Sequence, residues 1–111
     1  MAAMPRTLLL LAALLPAAVL AAPPPARQAE LLRTLRQDCG SCHGMRLTGG
    51  LGPALTAQAL QERPLESLVA TIYQGRPGTP MPPWRGLITE NEARWLAERL
   101  QAGVPPEDKQ P

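Results

Sequence analysis

Apolar positions recur at helical spacing in three stretches of the chain, and each stretch is bounded by a recognisable start or stop signal. Leu31, Leu32 and Leu35 fall on one stripe with Arg33 and Arg36 outside it, which predicts a helix over about Ala26–Asp38. Leu65, Leu68, Val69, Ile72 and Tyr73 repeat at i, i+3, i+4, i+7 and i+8. Pro64 suits the first turn of that helix and Gly75 its end. Ala93, Leu96, Ala97 and Leu100 line one face of a last helix. It is introduced by a Thr89-x-x-Glu92 capping box and stops near Gly103. Thr56 can cap a short helix reaching about Glu62.

Between these stretches the pattern breaks. Gly40–Gly52 is glycine-rich and reads as loop, apart from a turn holding the cysteine pair. Arg76–Gly86 is stiffened by Pro77, Pro80, Pro82 and Pro83 into a non-helical loop. No strand pattern and no repeat stands out, so the expected class is all-α, with three or four helices and long connections. The N-terminal pattern differs in kind. Arg6 precedes the apolar run Thr7–Leu15, and Val19-Leu20-Ala21 offers small residues for processing. This is the layout of an export signal cleaved after Ala21. A retained span would need about 20 apolar residues, whereas this run is shorter and Pro16 interrupts it. The expected organisation is therefore a signal at 1–21, one domain at 22–103 and a frayed tail at 104–111, with no membrane span after cleavage and a periplasmic destination.

Composition sharpens the picture. Charged residues are 18% of the 111 and the formal net charge is +2, which excludes a strongly basic nucleic-acid binder and an acidic disordered chain. Aromatic residues are 3%: Trp84, Trp95 and Tyr73, with no Phe. A domain this small buries a modest fraction of its surface, and leucine and alanine stripes make a thin core. Long loops in so short a chain also need a reason. A large bound group, with the chain a monomer around it, explains both.

The reactive residues say which group. The chain has one His and two Cys, and all three lie in Cys39-Gly40-Ser41-Cys42-His43. C-x-x-C-H is the attachment signature of c-type haem. Two thiols three residues apart can each add to one porphyrin vinyl group, which leaves His43 placed to reach the iron. Haem attachment of this type follows export, so motif and signal agree. A Cys39–Cys42 redox pair of the thioredoxin kind would sit near a βαβ pattern, which is missing. A zinc site would be one ligand short with Cys39, Cys42 and His43. The second axial ligand follows by elimination. No second imidazole exists, and Met45 is tethered two residues from His43. That leaves Met81, in the proline loop, as the distal ligand of a His/Met iron.

Supporting roles are less determined. A backbone carbonyl after the motif can fix the His43 ring. Pro53 is the candidate, and an ordinary turn accounts for the surrounding glycines equally well. Trp84 can donate to a haem propionate or pack on the ring, while Trp95 reads as inter-helix core. From Cys39 to Gln61 the only charge is Arg46, and from Ser67 to Thr89 the only charges are Arg76 and Arg85. These arginines suit propionate pairing or the docking of an acidic redox partner.

With these motifs in place the sequence resembles class I cytochromes c across essentially the whole of 22–103. Within that class it is similar to the cytochrome c55X, or NirC-type, family. The likeness rests on Cys-Gly-Ser-Cys-His-Gly-Met, Gly-Gly-Leu-Gly-Pro-Ala-Leu-Thr and Gly-Arg-Pro-Gly-Thr-Pro-Met-Pro-Pro-Trp. The resemblance implies a small helical fold wrapped around one covalent haem c and its iron, with the residue matching Pro53 accepting a hydrogen bond from the proximal His. It also implies a periplasmic one-electron carrier without catalysis of its own. The implied partner is the cytochrome cd1 nitrite reductase of denitrification, with an accessory role in haem d1 maturation as the alternative. A haem-based ligand sensor would need an open sixth position. Class I cytochromes c usually set an aromatic late in their last helix, where this chain has Arg99, with Trp95 one turn earlier.

Overall fold

The structure is a computed structural model, and it describes residues 2–3 and 21–105. The signal expected at 1–21 and the end of the tail therefore lie almost wholly outside the described residues. Helix α1 spans Pro25–Thr34 and has its proline at the first turn, where a missing N–H costs nothing. The chain then continues without a break through a π-helical turn, Leu35–Cys39, into a last turn, α2, over Gly40–His43. Leu31 and Leu35 are each 1% exposed, and they anchor this run in the core.

The run extends past the predicted end near Asp38, because the turn that holds the cysteine pair, residues 40–43, is itself helical. The Gly40 N–H bonds the Leu35 carbonyl, the i→i+5 spacing of a widened turn. Gly40 is buried against Met45, whose Sδ would lie 3.7 Å from a Cβ at this position. A Cβ here would make only ordinary contacts, and the helical backbone at Gly40 (φ -61°) lets the helix run through it.

Helix α3, Ala57–Leu60, is capped by the Thr56 hydroxyl, which accepts from the Ala59 N–H at 3.2 Å. Pro64 occupies the N-cap of α4, Leu65–Gln74, and Gly75 closes it at φ 71°. Helix α5, Glu90–Ala102, opens with the expected capping box. Glu92 N–H donates to Thr89 Oγ1 at 3.1 Å, and Thr89 N–H donates back to Glu92 Oε2 at 2.9 Å. Among the described residues there is no strand.

Helix α5 packs on α1, α3 and α4. Its buried face carries Ala93, Trp95, Leu96, Ala97 and Leu100 and joins Leu31, Leu35, Leu47, Leu60, Val69 and Ile88 in one core. Trp95 is 8% exposed and covered by the Arg99 guanidinium, 5.7 Å from the ring centroid. The residue standing in the aromatic's place thus extends the tryptophan's surface. The tail is tied down at its start. Val104 packs on the core, and Arg36 Nη2 donates to the Pro105 carbonyl at 2.8 Å. Two arginines brace the helices from outside. Arg27 bonds Glu92 at 2.7 Å and Glu30 at 2.8 Å, and Arg94 bonds Glu66 at 2.7 Å.

Candidate functional site

The end of the α1–α2 run presents Cys39, Cys42 and His43 on consecutive turns. Cys42 is exposed, Cys39 half-buried, and both thiols are free. Burial, and after it the charge of Asp38, pushes the Cys39 thiol up to about 11. A redox dithiol works the other way, through a thiol depressed toward neutral pH. Among the described residues no three His, Cys, Asp or Glu side chains gather for a metal ion.

The loop after His43 folds back on the motif through its backbone. Gly49 N–H donates to the His43 carbonyl at 2.8 Å and Gly52 N–H to the Cys42 carbonyl at 2.7 Å. Two glycines make this approach possible. A Cβ on Gly44, which sits at φ 92°, would lie 2.6 Å from the Gly49 carbonyl oxygen. A Cβ on Gly52 would meet His43 Nδ1 and Cε1 at 2.8 Å. Gly52 therefore forms one wall against the imidazole, and the next residue holds its edge. His43 Nδ1 lies 2.7 Å from the Pro53 carbonyl oxygen. A carbonyl only accepts, so Nδ1 carries the proton, and the lone pair stands on Nε2, the nitrogen available to a metal.

Met81 lies on the other long loop, half-buried. That loop is closed across its neck, where Arg76 N–H donates to the Met81 carbonyl at 3.1 Å. Thr79 Oγ1 donates to the Arg76 carbonyl at 2.6 Å and accepts from Met81 N–H at 3.3 Å. The loop rests on Gly75, where a Cβ would come within 2.8 Å of Met81 O and 2.7 Å of Pro82 C and Pro83 N. Its exit is stitched to α4. Trp84 N–H donates to Ile72 O at 3.2 Å and Arg85 N–H to Tyr73 O at 3.1 Å. Trp84 packs at the margin of the core, and Arg76 and Arg85 are exposed, with no ion pair among the described residues. The close approaches at Gly52, against the His43 ring, and at Gly75, against the Met81–Pro83 backbone, are separate contacts that the sequence does not predict, although it offers a glycine immediately before Pro53 and another directly after the α4 stripe.

Residues 26–98 match the family described as cytochrome c oxidase, cbb3-type, subunit III. The chain is 66% identical over 77 residues to cytochrome c55X of Pseudomonas aeruginosa, and the match covers 69% of this chain and 65% of that protein. With cytochrome c55X of Paracoccus denitrificans it shares 55% identity over 97 residues, covering 87% of this chain and 94% of the relative. The chain belongs to the cytochrome c55X family.

A solved structure of a c-type cytochrome NirC superposes with a TM-score of 0.71 at 62% identity, covering 72% of this chain and 94% of that one. A more distant likeness is to a dihydro-haem d1 dehydrogenase, NirN, solved in complex with DHE. Its TM-score is 0.59 at 32% identity, over 71% of this chain and 17% of that chain. A cytochrome c55X carries a covalent haem c with its iron. The residues present fit that group: two free thiols in C-x-x-C spacing, one imidazole whose tautomer is set by Pro53, and glycine where a side chain would crowd the ring. Among the described residues no helix is long and apolar enough to cross a membrane.

Proposed function

We propose that this cytochrome c55X is a periplasmic one-electron carrier, in which Cys39 and Cys42 would attach the haem as thioethers, His43 Nε2 and Met81 Sδ would ligate its iron, and cytochrome cd1 nitrite reductase is the electron acceptor. The observation that carries the reading is the 2.7 Å contact between His43 Nδ1 and the Pro53 carbonyl, directly after the paired thiols. It fixes the ring's orientation and tautomer as a metal-ligating imidazole requires. When bound, the haem supplies an iron that cycles between ferrous and ferric, and thioether ligation favours the ferrous state.

The chain's own residues do the rest. Pro53 holds the His43 ring and Gly52 gives it room. Pro80, Pro82 and Pro83, with the Arg76–Met81 and Thr79 hydrogen bonds, keep the Met81 backbone from relaxing when the charge on the iron changes. A ligand that stays in place in both oxidation states lowers the structural rearrangement each electron transfer must drive. Trp84, pinned at its backbone beside the core, closes the exit of the loop.

Electron transfer from the reduced, purified protein to purified cytochrome cd1 nitrite reductase tests the reading directly. Rapid oxidation of the haem c at low salt is expected, and no transfer there counts against it. The likeness to a dihydro-haem d1 dehydrogenase supports a second reading, electron delivery during haem d1 maturation. Deleting the gene separates the two. Lost nitrite reduction with haem d1 still present supports donation, whereas lost haem d1 supports maturation.

A further inference from the structure

The segment ahead of α1 lies on α5. Pro23 is buried, and it shares a shallow cleft with Trp95. Ala21 and Ala22 border the same cleft, as do Asn91, Arg94 and Glu98 of α5. Two side chains hold the segment by its backbone. Asn91 Nδ2 donates to the Ala21 carbonyl at 3.0 Å, and Gln28 Nε2 donates to the Pro23 carbonyl at 2.8 Å. The run Pro23-Pro24-Pro25 stiffens it. Pro24 sits at φ −57° and ψ 152°, a polyproline conformation, so little freedom is lost when the segment docks.

The bond that the export pattern marks for cleavage, Ala21–Ala22, is thereby placed against α5. Hydrolysis adds water across that bond and leaves a carboxylate on Ala21 and an ammonium on Ala22. The carbonyl that Asn91 holds departs with the signal. The new ammonium stands about 2.3 Å from where that oxygen was, from the bond lengths of one peptide unit. The cleft has groups to receive it. Arg94 is committed to Glu66 at 2.7 Å. Glu98 and Glu90 act on the Arg94 charge yet have no ion pair of their own among the described residues. The Asn91 amide carries an acceptor as well as donors, so turning it over presents Oδ1. The positive end of the α5 dipole, about half a charge, opposes a cation here. Two uncommitted carboxylates exceed it.

We propose that the cleft between residues 21–24 and α5 is the seat of the processed N-terminus, where the Ala22 ammonium pairs with Glu98 and donates to Asn91 Oδ1. The contact exists only after cleavage, because the precursor carries a neutral amide at the same nitrogen. Processing exchanges a neutral hydrogen bond for a charged one and pins the start of α1 to α5. The proposal rests on the export part of the reading above, and not on the identity of the electron acceptor.

The holoprotein secreted from the full chain tests it. Its intact mass should show Ala22 as the first residue. A haem-bearing chain that begins elsewhere, or that keeps its signal, overturns the seat and leaves the carrier reading standing. The mature chain then has two amines, Ala22 and Lys109. A limiting amount of N-hydroxysuccinimidyl acetate near neutral pH transfers its acetyl group to either amine and releases N-hydroxysuccinimide, and peptide mass spectrometry reads both sites. Glu98→Gln should speed acetylation of Ala22 relative to Lys109 about threefold, because an ammonium without its carboxylate gives up its proton more readily. Glu62→Gln, which removes the same charge away from the cleft, should leave the ratio near the parent's. Equal ratios in the two variants overturn the proposal.

A second measurement follows the side-chain amide resonances of Asn91 and Gln28 in the ferrous protein. Two residues, Gly-Ser, placed ahead of Ala22 move the ammonium out of the cleft and restore a carbonyl at its edge. The Asn91 resonances should shift, and those of Gln28, which holds the Pro23 carbonyl, should stay. Asn91 resonances that ignore the extension overturn the seat.

Discussion

Met81 and Gly52 carry different burdens at the proposed site, and substitution separates them. Met81→Ala removes the only thioether on the proline loop while leaving the backbone bonds of Arg76 and Thr79 in place. The expected outcome is full covalent haem in a pyridine haemochrome assay, loss of the weak far-red band of a thioether-ligated ferric haem, and a lower midpoint potential. Retention of the band would place the ligand elsewhere. Gly52→Ala leaves every ligand present but sets a methyl 2.8 Å from His43 Nδ1 and Cε1. Overpacking of this kind costs about 1–3 kcal/mol. The variant should melt earlier and show shifted imidazole resonances with unchanged haem stoichiometry. Normal stability would mean that the ring is not held against this backbone. Cys39, Cys42, His43 and Met81 can be proposed from the chain alone because it holds one His, two Cys and few Met. Gly52 cannot, because a glycine's neighbours are a property of the fold.

At the scale of elements, the helices that the sequence pattern showed best are those whose ends are written in local chemistry. Thr89 and Glu92, Pro64, and Gly75 each satisfy or terminate a helix within four residues of themselves, so the boundaries of α4 and α5 are legible. The α1–α2 run is not, because Gly40 reads as a helix stop in the sequence, whereas the chain continues through a widened turn at Leu35–Cys39 with Gly40 buried beside Met45 of the returning loop. Glu92 has two local roles. It completes the capping box, and it accepts from Arg27 Nε at 2.7 Å and Nη2 at 3.1 Å. The Arg27 hydrogen bonds, and after them the Thr89 N–H, hold its carboxyl below the ordinary value of 4.5. A depressed carboxylate binds fewer protons folded than unfolded, so its contribution is present above about pH 4.5 and is lost as pH falls through the folded value. Glu92→Gln should therefore flatten the acid limb of the melting temperature against pH in that window. Thr89→Ala should cost about 1 kcal/mol at neutral pH through the lost cap alone. An acid limb unchanged in the Gln variant would show that the Arg27–Glu92 pair adds nothing beyond the cap.

For the whole molecule, the question is how much of the fold the chain can hold by itself. Its buried core is a set of leucines, alanines, one Val and one Ile around Trp95, the single buried aromatic among the described residues. A chain near this length buries a modest share of its surface, and the surplus over conformational entropy is small. The packing of α5 on α1, α3 and α4 is contiguous and apolar, whereas the loops at 44–56 and 75–89 send only Leu47 and Ile88 fully into the core and otherwise rest on partly buried side chains and backbone hydrogen bonds. A group attached covalently at Cys39 and Cys42 would stay on the chain when it unfolds, so it would stabilise the fold through its own burial and through ligation by His43 and Met81, which only the folded chain brings to one centre. Cys39→Ser/Cys42→Ser, which cannot attach haem, should then keep helical far-ultraviolet dichroism but lose the near-ultraviolet signal of Trp84 and Trp95 and melt without a sharp transition. Amide exchange should separate the parts. Protection falls first in the two loops, and longest-lived amides remain in α4 and α5, whose contact needs only their own side chains. A cooperative melt of this variant with loop amides still protected would show that the polypeptide is folded on its own account. The haem's part would then be confined to electron transfer.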